Sequence, residues 1–173
     1  IAQRFNNDFQ APNFLKVPEP LIQKQFSRIM SLKDGTKKMS KSDPSDLSRI
    51  NLTDDKDKII NKIKKSKTDT MPMPSEEESL KNRPEVLNLL EIYSSLSNES
   101  VEKSKKEFSG KNFSDFKEKL SNLLVEKIEP ISKEIKRLLN DEKNLDEILL
   151  EGTQKANKYA SAKVKEMKKI IGF

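Results

Sequence analysis

The sequence predicts a mostly α-helical chain that opens on the trailing edge of an α/β domain. Three observations carry that expectation. Strand signals occur only within the first 32 residues, and apolar residues recur at 3–4 spacing from Thr53 to the end. Hydrophobic residues make up 33% of the 173 and charged residues 36%, a composition suited to thin amphipathic helices. This length accommodates one domain, or one domain with part of another.

Taken in order, Ile1 to Phe9 reads as the end of a helix, and with Ile1 in place of a Met the chain is expected to be part of a longer one. Phe14-Leu15-Lys16-Val17 is a short apolar run closed by Pro18 and Pro20, and Phe26 to Leu32 alternates loosely up to an Asp34-Gly35 turn. Both are expected as strands. Two short strands do not make a stable sheet alone, so they are expected to belong to a larger α/β domain. Thr53 is the expected cap of a helix with Asp54, Asp55 and Asp57 in its first turn and Lys62, Lys64 and Lys65 in its last, each end complementing the macrodipole. Residues 68–81, with Pro72 and Pro74, read as a loop. Pro84 suits the first turn of a helix bearing Val86, Leu89, Leu90, Tyr93 and Leu96. A short helix from about Ser100 is expected to stop at Gly110. Asn112 opens a long pattern from Phe113 to Leu138, with a kink or break expected at Pro130. The last helix carries Leu145, Ile148, Leu149, Tyr159, Val164, Met167 and Ile171. Its small residues Gly152, Ala156 and Ala160 are expected to let a neighbouring helix approach closely.

Several functions are excluded within these residues. With no Cys there is no disulfide framework and no thiolate zinc site, and with no His there is no Ser-His-Asp or Cys-His chemistry. No apolar run approaches the ~20 residues needed to cross a bilayer, and no signal peptide is expected. The expectation is a cytoplasmic protein without membrane association. The net charge of +6 is uneven. Residues 34–67 hold ten basic and six acidic side chains, and residues 153–173 hold six Lys against one Glu. Two basic regions on a near-neutral body point to phosphate or nucleic acid.

Chemistry concentrates in Asp34-Gly35-Thr36-Lys37-Lys38-Met39-Ser40-Lys41-Ser42-Asp43-Pro44. A turn glycine, small hydroxyls and two ammonium groups three residues apart describe a mobile loop that can swing point charges onto a polyphosphate. It lacks the glycines of a rigid phosphate cradle. Such a loop suits the stabilisation of charge on a departing pyrophosphate.

Lys38-Met39-Ser40-Lys41-Ser42 is the KMSKS sequence of class I aminoacyl-tRNA synthetases. Its surroundings resemble bacterial or organellar tryptophanyl-tRNA synthetases: Arg28 to Leu32 (RIMSL), Lys37 to Pro44 (KKMSKSDP), Lys67-Thr68-Asp69, Asn88 to Tyr93, and Glu151-Gly152 with Lys155-Ala156-Asn157. The resemblance spans essentially the whole chain. It implies a Rossmann-like catalytic domain ending over residues 1–52, with the KMSKS loop, followed by an α-helical tRNA (anticodon)-binding domain over 53–173. It implies that Lys38 and Lys41 contact the ATP phosphates and stabilise adenylation, that Met39, Ser40 and Ser42 shape the loop, and that Ile29 and Met30 lie against the adenosine. The implied substrates are ATP with Mg²⁺, L-tryptophan and tRNA(Trp), with no protein-bound metal and a homodimeric complete protein. The family's HIGH-type motif, its Gly-x-Asp-Gln motif and its tryptophan pocket are absent, so the chain corresponds to the C-terminal half and is expected to be inactive alone.

The terminal lysines Lys155, Lys158, Lys163, Lys165, Lys168 and Lys169 are candidate tRNA phosphate contacts, although a solvated helix face would carry the same pattern. Three other readings stay open on sequence grounds. One is a tyrosyl-type synthetase, another is a helical RNA-binding module without catalysis, and the third is a helical interaction domain.

Overall fold

A computed structural model describes residues 1–22, 26–75 and 80–173. The described chain is mostly helical, with α1 (Ala2–Asp8), α2 (Lys56–Lys64), α3 (Pro84–Ser97), α4 (Val101–Phe108), α5 (Phe113–Leu139) and α6 (Glu142–Ile171), and a 3₁₀ turn at Asp46–Ser48. It divides into two compact units. One holds Ile1–Ile22 with Leu138–Phe173, and the other holds Gln23–Arg137.

The described residues contain no β-strand, only an isolated antiparallel bridge between Met30 and Lys38. This corrects both strand expectations, and the physical reason is the same in each. At the first, the backbone N–H of Leu15 donates to Asn6 Oδ1 at 2.9 Å and Asn6 Nδ2 donates back to the Leu15 carbonyl at 2.8 Å. At the second, Met30 N–H donates to Asn88 Oδ1 at 2.8 Å and Asn88 Nδ2 donates to the Met30 carbonyl at 2.9 Å. A side-chain amide carries the same donor and acceptor as a neighbouring strand, so it satisfies the backbone edge without a sheet.

In the 23–137 unit the core gathers Leu32, Ile59 and Ile63 of α2, Met73, Leu80, four residues of α3 (Val86, Leu89, Leu90 and Ile92), Phe108 of α4, and Phe116, Leu120 and Leu124 of α5. Phe108 stands edge-on to Tyr93 and Phe116, with ring centroids 4.9 and 4.8 Å away, the arrangement that ring quadrupoles favour. The buried Ser94 hydroxyl donates to Ser104 at 2.7 Å, tying α3 to α4. The loop before α3 is built on Arg83, whose guanidinium meets both Asp69 oxygens at 2.6 and 2.7 Å and the Pro72 carbonyl at 3.0 Å. Burial works to raise the Asp69 carboxyl, but the Arg83 guanidinium outweighs it and holds it below the usual range.

Most caps follow local chemistry. Ser100 accepts from Lys103 N–H ahead of α4, and Gly110 beyond it takes φ +70°. The cap of α2 is Asp55, not Thr53; it accepts from Lys58 N–H at 2.9 Å. Asp54 is withdrawn from the first turn into a buried ion pair with Lys62. At Pro130 the expected break does not occur, and α5 runs through it. Pro130 and Glu126, whose carbonyl loses its N–H partner, are both exposed, so water can serve that carbonyl.

In the other unit, Asp141 caps α6 by accepting from Asn144 N–H at 3.2 Å, and Gly172 ends it at φ +91°. No residue of α6 is buried, and Tyr159 is 82% exposed. Nothing among the described residues lies within 4 Å of where a Cβ on Gly152 would stand. Ala156 and Ala160 are likewise exposed, so no helix among the described residues makes the expected close approach along this face. Among the described residues no helix is long and apolar enough to cross a membrane.

Candidate functional site

The KMSKS loop lies wholly in the 23–137 unit; it starts on the second of two short paired arms, and its exposed tip, Ser40 to Asp43, runs on from their open end. Ser31 N–H donates to the Lys37 carbonyl at 2.8 Å and Met39 N–H donates to the Ile29 carbonyl at 3.0 Å. These two bonds flank the Met30–Lys38 bridge. Ile29 and Met30 are therefore brought directly beside Lys38 and Met39. Ile29 and Met39 are half-buried against the core.

The turn joining the arms is made by Asp34, whose Oδ1 accepts from Thr36 Oγ1 at 2.6 Å and Thr36 N–H at 3.0 Å. The Thr36 hydroxyl, then the Thr36 N–H and Lys37, hold the Asp34 carboxyl down at about 2. Gly35 has no room for a side chain, since a Cβ there would stand 2.4 Å from the Glu85 nitrogen and 2.7 Å from the Pro84 carbonyl oxygen. The turn thus sits on the first residues of α3. Glu85 in turn takes Lys67 Nζ at 2.7 Å, and that ammonium, with the Gly35 N–H, keeps the Glu85 carboxyl low.

The tip differs in kind from this base. Lys37 is tied to Asp34 at 3.3 Å. Lys38 and Lys41 are exposed and have no hydrogen-bond or ion-pair partner among the described residues. The hydroxyls of Ser40 and Ser42 lie 3.0 Å apart, and Ser42 N–H donates to Ser40 Oγ at 3.3 Å. Beyond the tip the chain is fastened again, as Arg49 Nη1 donates to the Asp43 carbonyl at 2.9 Å. Lys62, 2% exposed, holds Asp54 at 2.6 Å and Asp46 at 2.8 Å, locking the 3₁₀ turn onto α2. Two free ammonium groups, Lys38 on the paired arm and Lys41 on the tip beyond it, can meet an anion without first breaking an internal ion pair.

The terminal lysines lie in the other unit and do not act as one set. At about 100° per residue, Lys155, Lys158, Lys165 and Lys169 share an arc of about 80° on α6, with Lys168 about 60° beyond one edge of it. Lys163 lies on the other side, 3.6 Å above the Phe14 ring, and is paired with Glu166 at 3.4 Å. Lys155 is paired with Glu151 at 2.5 Å. Lys158, Lys165, Lys168 and Lys169 are exposed. No group of three or more acidic side chains suited to a metal ion is present among the described residues.

Sequence reasoning missed the supports of the loop, namely Asn88, the Lys62 pair and the Glu85–Lys67 contact. One signal was available. Asn88 interrupts the apolar face of α3 between Leu87 and Leu89, where an unpaired amide would be costly.

Residues 1–129 match the family described as tRNA synthetases class I (W and Y). The tryptophan–tRNA ligase of Caulobacter vibrioides is 46% identical over all 173 residues, and that of Rickettsia felis is 47% identical; in each case the chain covers 50% of the relative. The chain thus spans about half the length of the curated relatives it matches. The crystal structure of tryptophanyl-tRNA synthetase from Mycoplasma pneumoniae superposes with TM-score 0.80 at 28% identity, over 99% of this chain and 51% of that one. The Campylobacter jejuni enzyme complexed with ADP and tryptophan superposes with TM-score 0.67 at 23% identity, over 99% and 51%, a likeness of fold.

Proposed function

The chain belongs to the class I tRNA synthetases of the tryptophan and tyrosine family, and from that membership we propose that it supplies the ATP-phosphate loop of a tryptophan–tRNA ligase. In the first step a carboxylate oxygen of L-tryptophan attacks the α-phosphorus of ATP. The bond to the bridging oxygen breaks, pyrophosphate leaves, and tryptophanyl-adenylate remains. In the second, a ribose hydroxyl at the 3′ end of tRNA(Trp) attacks the acyl carbon, AMP leaves and the hydroxyl proton is released. The observation that carries the proposal is the intact KMSKS pentapeptide, held out on fixed stems with the ammonium groups of Lys38 and Lys41 unengaged among the described residues.

In this reading Lys38 and Lys41 meet the negative charge that grows on pyrophosphate as it departs, an interaction worth more in the transition state than in bound ATP. Ser40 and Ser42 shape the tip through their mutual hydrogen bonds, and Met39 seats it on the core. Ile29 and Met30 stand against the adenosine end, where the arms begin. Mg²⁺ enters as part of the ATP complex. Residues 1–52 form the end of a Rossmann-like catalytic domain, and 53–173 form the helical domain that holds the anticodon side of tRNA through the lysines of α6. The complete protein is a cytoplasmic homodimer, with the tryptophan pocket contributed by its other half.

Tryptophan-dependent ATP–pyrophosphate exchange on the complete protein tests this. Lys38→Ala or Lys41→Ala should each slow exchange by about 10²- to 10³-fold, the loss typical of one transition-state charge donor, with tryptophan affinity unchanged. Equal losses in tryptophan affinity and rate would make the loop a structural element and overturn the assignment.

A further inference from the structure

We propose that Asn88 is a positioning residue of the phosphate loop, acting as the missing neighbour strand for the arm that places Lys38. The inference rests on the assignment of Lys38 to the ATP phosphates and goes beyond it by naming what fixes that lysine in space. The pairing of the two arms determines which way each backbone faces. Because the bonds run from Ser31 to Lys37 and from Met39 to Ile29, Met30 occupies a site whose own N–H and carbonyl point away from the Lys38 arm. Those two groups face Asn88, which takes both, at 2.8 and 2.9 Å, with a longer contact to the Ser31 carbonyl at 3.5 Å. One edge of the segment is thus held by α3, and the other edge carries Lys38.

Asn88 is 1% exposed, in the middle of the helix face that buries Val86, Leu89 and Leu90. A leucine would fill such a site without demanding a partner, whereas an amide there is tolerable only when both of its ends are bonded. Both are bonded, and both to the same residue of the loop arm, 58 positions away in the chain. The same helix meets the turn at Gly35, which lies against the backbone of Pro84 and Glu85. With two attachments on one rigid helix, the arms follow α3 and only the tip from Ser40 to Asp43 keeps freedom of its own. A reactive group set on such a base loses rate steeply when the base shifts by even about 1 Å.

The test is a double-mutant cycle in the complete protein, read by tryptophan-dependent ATP–pyrophosphate exchange. Asn88→Leu and Asn88→Asp should each lower the exchange rate by about 10- to 100-fold, with KM for tryptophan held within about twofold. Asn88→Asp keeps the volume and the acceptor for Met30 N–H, so it carries the test should Asn88→Leu fail to fold. In a Lys38→Ala background, either Asn88 substitution should cost clearly less than it does in the parent, because one of the groups being positioned is gone. Full additivity with Lys38→Ala, or an unchanged rate in Asn88→Asp, would overturn the proposal. Should Lys38→Ala itself leave the rate unchanged, the assignment of the loop falls first, and the two failures are thereby told apart. Amide exchange on the unaltered protein gives a second reading. Met30 N–H should be protected like the buried Leu89 and Leu90 of α3, and exchange as fast as that of Ser42 would refute the pairing.

Discussion

Alanine at Gly35 and alanine at Gly152 should change stability in opposite directions. At Gly35 the new Cβ would lie 2.4 Å from the Glu85 nitrogen, 2.5 Å from the Pro84 carbonyl carbon and 2.7 Å from its oxygen, where ordinary contact starts at 3.4 Å. All three atoms are backbone in the first turn of α3, so no side-chain tip can swing aside. The turn and the helix must separate by about 1 Å, an overpacking that costs ~1–3 kcal/mol. Against this, alanine restricts the unfolded chain and returns ~0.4–1 kcal/mol. The net loss is about 1–2 kcal/mol, which at ~2–4 °C per kcal/mol for a chain of this size lowers the melting midpoint by about 2–8 °C. Gly152 sits inside α6 with nothing within 4 Å. There alanine meets open space and gains ~0.5–1 kcal/mol of helix propensity. Thermal melting followed by circular dichroism reads the first effect. Amide exchange along α6 reads the second, as a slowing of about two- to fivefold. A Gly35→Ala protein as stable as its parent, or two substitutions of the same sign, would refute the reasoning.

Lys62→Met should destabilise by ~3–5 kcal/mol in urea unfolding, because it strands the buried Asp54 carboxylate, while Lys62→Met with Asp54→Leu should recover most of that stability. Equal destabilisation in the single and double variants would mean that the ion pair contributes nothing specific. Asp34 should titrate near 2 by NMR, and Thr36→Val should return it toward the ordinary 3.8. Because that carboxyl is lowered on folding, the stability it contributes is complete above about pH 4 and disappears as pH falls toward 2; an unmoved pKa in Thr36→Val would discount the hydroxyl as its cause. For tRNA binding, Lys158→Gln with Lys165→Gln should flatten the log–log salt dependence by about one to two units, one for each phosphate that no longer meets an ammonium group. Lys163→Gln, which alters a lysine seated over Phe14, should leave the slope unchanged; equal effects from both would dissolve the distinction between the two sides of α6.

Helix content, the helix start near Ser100, the Gly110 stop and the KMSKS pentapeptide were legible in the sequence by itself, since each is written in residues that are neighbours along the chain. A 3.6-residue period or a side-chain cap needs no distant partner to take effect. Strands are different, because a strand exists only through the edge that pairs with it. Phe14 to Val17 and Phe26 to Leu32 have the local character of strands, yet in the tertiary structure their edges went to the amides of Asn6 and Asn88. In the same way the charges of α6 were countable, but folding decided that Lys163 would turn to Phe14 while Lys158 and Lys165 faced outward. The two lysines of the loop tip could be named from sequence. Their supports could not, because Asn88, Glu85 and Lys62 owe their roles to groups that only folding brings beside them: the Met30 backbone, the Lys67 ammonium, and the carboxylates of Asp46 and Asp54.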